Sequence, residues 1–438
     1  MPNNAPHSPS ATHLGSRAHV CLAVVVLAAL TLFLTANHVF DPAVQAKYAL
    51  NGDILTIARF AQAATGHDVI GWWKGGWIEE GIRFYRPLSS MLFWAEYRLW
   101  GEGYESYFIV SWVTNAAITC LLMLLAYRLS SPGTWRGLIV GFTAGVLLNV
   151  RNGPVGGPEW TGERLTMGLM PYWPAQTDLF SLLFSLLSLL ALDRYLTAPA
   201  TDDSRRSTQG RWLIAACVLY IAALLFKEMA VSLPLLAAGL AIYRRHPGWP
   251  RILAVYAAPV VAVLAVRQVL VPAAMEPEFR DTEWVLLKAA RYASQPLTAC
   301  AGAGAYWPFV AVAGCIVLAV VLVRRRVSVV YVALGLVLWC GLCAQVLGGN
   351  FALITVDREL VRMAMIAMFF GGLIVLCASR SRLLWMLAAW LVAIHIPILH
   401  VWGPHYLYWP AAFWGLLNAN LLDSACEKAV AVSRILKV

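Results

Sequence analysis

The sequence predicts an all-α fold, a polytopic bundle of about 11 transmembrane helices with a long external first loop. Hydrophobic residues make up 60% of the 438 residues and charged residues only 13%, against about 25% charged in a soluble domain. Apolar runs of about 17–25 residues recur along the chain, which is the length an α-helix needs to span a bilayer. Basic residues cluster between these runs, as residues that set the orientation of membrane helices do.

The predicted helices follow one another along the chain, with the long loop after the first. Their approximate ranges are 18–39, 104–127, 134–150, 178–196, 211–226, 229–243, 250–271, 305–323, 327–347, 361–378 and 383–400. A twelfth helix over 405–422 is a weaker prediction, because Pro410, Asn418 and Asn420 interrupt the apolar run. The first run is too long for the apolar part of a signal peptide and lacks a small-residue cleavage site, so we expect it to be an uncleaved helix.

Three regions follow from this pattern. Residues 1–17 are rich in Pro, Ser, Asn and His and are predicted to be a disordered cytoplasmic tail. Residues 18–400 form the transmembrane domain, with the external loop over 40–103 inside it. Residues 401–438 are predicted to be a C-terminal amphipathic tail segment.

The charge distribution predicts the orientation in the membrane. Each loop is numbered by the predicted helix that it follows. The N-terminal tail and the even-numbered loops carry roughly twice as many Lys and Arg residues as the short odd-numbered loops. The N-terminus and the even-numbered loops are therefore expected to be cytoplasmic. The protein is therefore predicted to lie in the inner cell membrane, with its long loop on the periplasmic side. The net charge of +10 does not indicate nucleic-acid binding, because the basic residues lie in short clusters between apolar runs.

The long loop contains two amphipathic stretches and a group of tryptophans. Apolar residues recur with helical spacing at Ile54, Ile57, Ala58 and Ala61, and again at Leu88, Met91, Leu92, Ala95 and Leu99. Both stretches are predicted to be short helices on the membrane surface. The tryptophans Trp72, Trp73 and Trp77 could anchor the loop at the interface or stack against a sugar, and aromatic belts favour anchoring.

Most of the unexplained polar groups belong to the predicted external face. They are Asp41 at the end of the first helix, Glu159 in the third loop, Asp178 at a helix start, Lys227 and Glu228 between two apolar runs, and Arg358 before the tenth helix. Arg267 lies within a predicted helix, where a charge usually faces a cavity or a partner. Each loop residue taken alone could be a solvated charge, so their grouping on one face is what suggests a site.

Several of these residues belong to short motifs that resemble a known family. The motifs are Phe40-Asp41, Tyr85-Arg86-Pro87-Leu88 and the segment 226–234, which reads FKEMAVSLP. Together they resemble the C-type (GT-C) integral-membrane glycosyltransferases, and within them the polyprenyl-phosphate-sugar-dependent enzymes related to protein O-mannosyltransferases. Gly157-Pro158-Glu159-Trp160 is loosely similar to the family's Pro-x-x-Glu region. The resemblance covers residues 18 to 400 and extends to Arg267 and Asp357-Arg358.

The sequence also departs from the family's pattern. The family commonly has two adjacent acids after the first helix, whereas Pro42 follows Asp41 here. Near the start of the second helix, Phe108, Ser111 and Asn115 stand where the family often has His and Asn. An arginine that the family has two residues before an aspartate is replaced by Gln176. Because a second acid that could help to bind a metal is missing, the sequence predicts no cofactor with certainty. Binding of a divalent metal ion stays an open alternative.

The resemblance implies a reaction and roles for the residues. A sugar would pass from a polyprenyl-phosphate-linked donor to an acceptor glycan, lipid or protein, with Asp41 as the general base. Arg267 and Arg358 would bind the donor phosphate, and the substrate would contact Arg86, Glu159, Asp178, Lys227 and Glu228. Membrane lipids are the other expected partner. Two other functions stay open, a lipid or oligosaccharide flippase or transporter and a catalytically silent relative of the family.

Overall fold

A computed structural model describes residues 17–40, 52–75, 77–78, 84–150, 172–198, 203–271, 376, 381–397 and 408–435. These residues form helices and connecting turns, without a β-strand among them. The helices are α1 (Arg17–Phe40), α2 (Gly52–Ala63), α3 (Gly66–Gly71), α4 (Pro87–Trp100), α5 (Tyr104–Ser130), α6 (Trp135–Val150), α7 (Gln176–Thr197), α8 (Asp203–Phe226), α9 (Leu233–Tyr243), α10 (Trp249–Leu270), α11 (Arg382–His395) and α12 (Tyr408–Ile435). Short 3₁₀ turns precede α7 at Trp173–Ala175 and α9 at Glu228–Ser232.

Among the described residues, five helical segments are long and apolar enough to cross a membrane. They are Arg17–Ala36, Tyr104–Ser130, Trp173–Thr197, Gln209–Phe226 and Trp249–Leu270. Shorter apolar helices lie over 135–149, 228–243 and 382–395. The described part of the chain is therefore all-helical, with five segments whose length and composition would allow them to cross a membrane. The described helices match the predicted runs within a few residues at most ends. The predicted helices 305–323, 327–347 and, apart from residue 376, 361–378 lie outside the described residues, as does the tail 1–16.

Glycine residues let α6 pack closely against its neighbours. Gly137, Gly141 and Gly145 recur every fourth residue and therefore lie on one side of the helix. A Cβ atom at Gly141 would lie 2.6 Å from the carbonyl oxygen of Met123 on α5, and one at Gly145 would lie 2.5 Å from a methyl carbon of Leu27 on α1. Both distances are too short for a side chain. Small residues of this kind are the usual means by which membrane helices approach each other.

The C-terminal helix is part of the bundle. The sequence assigned 401–438 to a tail segment, but α12 begins at Tyr408, packs against α6 and α11, and contacts α5 and α7. Its first half is buried, including Tyr408, Trp409 and Phe413. Pro410 does not interrupt the helix, because the third residue of a helix has no intrahelical acceptor for its N–H group. Asn420 is buried and donates to the carbonyl of Leu416 within the same helix.

The two helices predicted for the long loop are present, but their faces differ from the prediction. Ile54, Ile57, Ala58 and Ala61 of α2 are buried, mainly against α4 and the aromatic residues around it, so this face contacts protein instead of the membrane surface. In α4 the buried residues include Ser89, Ser90, Phe93 and Glu96. The apolar series from Leu88 to Leu99 is partly exposed, and Leu99 is 71% exposed. An apolar face need not point to the core in a protein whose surroundings include lipid.

Candidate functional site

Charged side chains from four separate parts of the chain meet at one end of the bundle, which we call the Asp178 end. Arg86 lies directly before α4, Asp178 is in the first turn of α7, Lys227 and Glu228 lie between α8 and α9, and Arg267 is in the last turn of α10. These antiparallel helices bring their termini together, so residues up to about 180 positions apart form one cluster. The cluster contains three cationic and two carboxylate side chains.

The break between α8 and α9 positions Lys227 and Glu228 at the Asp178 end. Lys227 has extended backbone angles, with φ −159° and ψ 146°, so the helix ends at Phe226. Pro234 occupies the start of α9, where it lacks only an N–H group that would have no helical acceptor. Ser89 donates to the carbonyl of Phe226 at 2.7 Å, and Ser181 donates to the carbonyl of Ala223 at 2.9 Å. Ser89 thereby satisfies a carbonyl at the helix end, whereas the carbonyl of Ala223 also accepts a backbone hydrogen bond from Lys227 at 3.1 Å.

Arg86 and Glu228 form a two-point ion pair. Nε and Nη2 of Arg86 donate to Oε2 of Glu228 at 2.8 and 2.6 Å. The guanidinium group also lies over the ring of Phe84, 3.7 Å from its centre, and 5.5 Å from the ring of Trp77. The positive charge of Arg267 is close enough to act on Glu228 as well. Arg86 is therefore held by a carboxylate on one side and aromatic rings on the other.

Lys227 and Asp178 form a buried ion pair next to the first. Nζ of Lys227 donates to Oδ2 of Asp178 at 2.5 Å, and the two side chains are 3% and 0% exposed. Burial lowers the pKa of Lys227 to about 8, and the carboxylate of Asp178 opposes that shift. The cluster has spare acceptors: Oδ1 of Asp178 and Oε1 of Glu228 are buried without a hydrogen-bond partner among the described residues.

A polar network beside the cluster joins α12 to α7, α5 and α6. The indole of Trp409 donates to the carbonyl of Asp178 at 3.3 Å, and the hydroxyl of Tyr408 donates to Oδ1 of Asn115 at 2.6 Å. Asn115 in turn donates to Asn149 at 3.0 Å, and Asn149 donates to Thr119 at 3.0 Å. Hydrogen bonds of this kind between membrane helices fix their relative positions. The network thereby holds the start of α7, and Asp178 with it.

The structure brings together five of the predicted site residues, Arg86, Asp178, Lys227, Glu228 and Arg267. Asp41, Glu159 and Arg358 lie outside the described residues. The sequence did not single out Tyr408, which lies in the predicted tail segment, or Glu96. The one available signal for Glu96 was a carboxylate in an amphipathic helix three residues from Phe93, a spacing that puts both on one face.

The loop tryptophans have different environments from one another. Trp72 and Trp77 are each 7% exposed and pack in an aromatic cluster with Phe93, Tyr107 and Trp173. Interface anchoring was therefore the wrong prediction for these two, because the loop helices fold over them. Trp73 is 41% exposed, and its indole donates to the sulfur of Met91 at 3.2 Å. Of the three, only Trp73 is exposed.

The three cationic side chains of the cluster have the chemistry to bind an anionic ligand. Arginine binds phosphate through two parallel hydrogen bonds, and the lysine adds a compact charge. Among the described residues, no group of three or more His, Cys, Asp or Glu side chains could hold a metal ion. The chain matches no protein-family model, no curated protein and no solved structure. The resemblance to the GT-C glycosyltransferases therefore rests on the sequence motifs alone.

Proposed function

We propose that this protein is an integral-membrane glycosyltransferase of the GT-C type that uses a polyprenyl-phosphate-linked sugar. The observation that supports it is the cluster of Arg86, Lys227 and Arg267 with Asp178 and Glu228 at one end of a helical membrane bundle. The donor combines a phosphate with sugar hydroxyl groups on a lipid. Cations suit the phosphate, carboxylate oxygens suit hydroxyl groups, and a membrane helix bundle suits the lipid.

The proposed reaction is a displacement at the anomeric carbon of the sugar. The acceptor hydroxyl oxygen forms a bond to that carbon, the bond from the carbon to the phosphate oxygen breaks, and the lipid phosphate departs. Asp41 would take the acceptor's proton, a role that typically contributes about 10²–10⁴-fold in rate. Arg267 and Arg358 would hold the phosphate, while Glu159 would contact the substrate. Arg86, Lys227, Asp178 and Glu228 would shape the same site.

The proposal includes a topology. About 11 helices would span the inner cell membrane, or 12 with α12, and the N-terminus would be cytoplasmic. The Asp178 end would then face the periplasm, where the acceptor is modified. A reporter fused after Ser204 should then read cytoplasmic, and one inserted near Asp68 should read external.

Donor binding provides the sharpest test of the site. We expect the purified protein to bind a polyprenyl monophosphate in native mass spectrometry, and Arg86→Met to weaken that binding about 10–100-fold. This range follows from about 1.5–3 kcal/mol for hydrogen bonds to a charged group. Arg267→Met is the second variant, because it should weaken binding without removing the ion-pair partner of Glu228.

The matched control is Arg136→Met. Arg136 also binds a carboxylate through two hydrogen bonds, to Asp423 at 2.6 and 2.7 Å, but at the other end of α6. Binding that survives in Arg86→Met and Arg267→Met, or that falls equally in Arg136→Met, would refute the proposed phosphate site.

Catalysis is tested with the protein in vesicles that contain the donor lipid found by mass spectrometry of the purified sample. Asp41→Asn is expected to reduce sugar transfer about 10²–10⁴-fold and to leave donor binding intact. Near-normal transfer by that variant would remove Asp41 from the reaction. Donor that crosses the bilayer without sugar transfer would identify a flippase instead.

A further inference from the structure

Four exposed arginines lie at the end of the bundle opposite the charged cluster. They are Arg194 near the end of α7, Arg211 in the first half of α8, Arg245 directly after α9 and Arg251 in the first turn of α10. Two ring contacts join these helix ends. The guanidinium group of Arg194 lies 4.9 Å from the ring centre of Trp212 on α8, and the ring of Tyr195 lies 5.7 Å from that of His246 between α9 and α10. We call the surface of the four arginines the arginine patch.

The arginine patch has no carboxylate to neutralise it among the residues whose side chains the structure describes. The described carboxylates at this end are Asp193, Asp423 and Glu427, and each is bound to an arginine outside the patch. Four positive charges therefore face the surroundings of the protein. A concentration of one sign of charge attracts partners of the opposite sign.

Arg245 occupies a backbone position that favours glycine. Its φ angle is +55°, in the left-handed region. The N–H group of Arg245 donates to the carbonyl of Ile242 at 3.0 Å, and that of His246 donates to the carbonyl of Ala241 at 2.9 Å. This pair of bonds commonly ends a helix around a glycine, because a side chain at the left-handed position is strained. The fold alone gives no reason for an arginine here, so its charge points to a role in binding.

The neighbours of the patch correspond to the level of lipid headgroups. Ile214 is exposed one helical turn after Arg211. Ile242 is exposed three residues before Arg245, and the indole of Trp249 at the start of α10 is exposed as well. Arginine and tryptophan at the ends of long apolar helices are typical of the boundary between hydrocarbon and headgroups. A phospholipid covers the apolar surface with its chains and the arginines with its phosphate, which a soluble anion cannot do.

We propose that the arginine patch binds the headgroups of anionic phospholipids. The guanidinium groups donate hydrogen bonds to the phosphate oxygens, for which their planar shape is suited. Basic residues at a membrane boundary attract anionic lipids, and each contributes about fivefold in affinity. The proposal does not depend on the proposed glycosyl transfer, because the patch and the charged cluster lie at opposite ends of the bundle.

The test titrates the purified full-length protein with lipid in native mass spectrometry. Phosphatidylglycerol is the anionic probe, and phosphatidylcholine, with no net charge, is the comparison. The wild type should bind phosphatidylglycerol more tightly, and each arginine-to-glutamine substitution in the patch should weaken that binding about fivefold. The variant with all four substitutions should lose the preference. A wild type without a preference, or a fourfold variant that keeps it, would overturn the proposal.

Two variants show whether position and charge both matter. Arg59→Gln removes an exposed arginine from α2 of the long loop, so it changes the net charge as Arg251→Gln does but should leave the binding of phosphatidylglycerol unchanged. Arg251→Lys keeps the charge and should bind nearly as well as the wild type. Equal losses in Arg59→Gln and Arg251→Gln would mean that net charge alone attracts the lipid and that there is no patch.

Arg245→Gly separates binding from stability. Glycine suits the left-handed backbone, so this variant should melt in detergent at no lower temperature than the wild type. It should nevertheless bind phosphatidylglycerol about fivefold more weakly, because it lacks the charge. A lower melting temperature with unchanged lipid binding would assign Arg245 to the fold and contradict its place in the patch.

Soluble anions provide the remaining control. Inorganic phosphate and a hexaglutamate peptide carry the same sign of charge without lipid chains, so neither should displace phosphatidylglycerol at an equal concentration of negative charge. Displacement by phosphate would mean that the patch is a site for a free anion. Displacement by the peptide would indicate an acidic protein partner, and either result would overturn the assignment to lipid.

Discussion

The two ends of the bundle use the same side-chain types in different ways. Asp178 and Asp193 both lie on α7, 15 residues apart, which is about 22 Å along a helix. At the Asp193 end, Arg128 donates to Oδ2 of Asp193 at 2.6 Å and Arg244 donates to Oδ1 at 2.8 Å. Both oxygens of Asp193 therefore have a guanidinium partner. At the Asp178 end, each carboxylate uses one oxygen in its ion pair, and the other has no partner among the described residues.

The backbone around the two clusters differs as well. Arg128, Asp193 and Arg244 lie at or beside the ends of uninterrupted helices, and Arg244 also donates to the carbonyl of Arg128 at 2.8 Å. The Asp178 cluster instead includes a helix break and an arginine outside the helices, which lies between a carboxylate and aromatic rings. Net charge does not distinguish the two clusters, since among the described residues each has one more cation than carboxylates. The contrast teaches that the same side-chain types can be completely paired, as in a structural clamp at the Asp193 end, or left with spare acceptors, which the proposed ligand site at the Asp178 end would use.

The largest effect is expected at the Asp193 end. Asp193→Ala leaves two arginines without their shared carboxylate, and removal of one partner of a buried ion pair typically costs about 3–5 kcal/mol. Unfolding in detergent should therefore occur at a clearly lower temperature. The folded fraction should bind a polyprenyl monophosphate like the wild type, because this end is remote from the proposed site. Weaker binding by the folded fraction would mean that the two ends are not separate in function.

An intermediate effect is expected for the buried pair at the Asp178 end. Lys227→Met alone leaves the buried carboxylate of Asp178 without its cationic partner and should destabilise the protein by about 3 kcal/mol. Adding Asp178→Leu should restore at least half of that loss, since a buried ion pair can often be replaced by apolar residues. Phosphate binding should stay weak in the double variant. Full recovery of binding along with stability would show that this pair serves the fold and not the ligand.

The smallest effect is expected for Arg136. Its side chain is 43% exposed, and its partners are Asp423 and Glu427. Ion pairs at such exposed positions contribute about 0–1 kcal/mol, so Arg136→Met should change the melting temperature very little. If Arg136→Met lowered the melting temperature as much as Asp193→Ala, solvent exposure would not predict how much an ion pair at this end stabilises the protein.

Local composition was enough to predict most of the helices. The apolar runs at 104–127, 178–196 and 250–271 became α5, α7 and α10, because the length and hydropathy of a spanning helix depend on its own residues. The same is true of the break at Lys227-Glu228, where two charges interrupt an apolar run. The C-terminal helix was underestimated, since its asparagines and proline lower the hydropathy of a helix that protein contacts largely bury.

The pairing of the polar residues required the tertiary structure. Arg86 and Glu228 are 142 residues apart, and no local pattern relates them. The buried face of α4 was also unpredictable from periodicity, because in a membrane protein the apolar face of a helix can point to lipid while Glu96 and two serines point to protein. Sequence alone therefore determined which segments are helices and which charges are unusual. Only the packing of helix ends decided which charges meet, because that depends on contacts between distant parts of the chain.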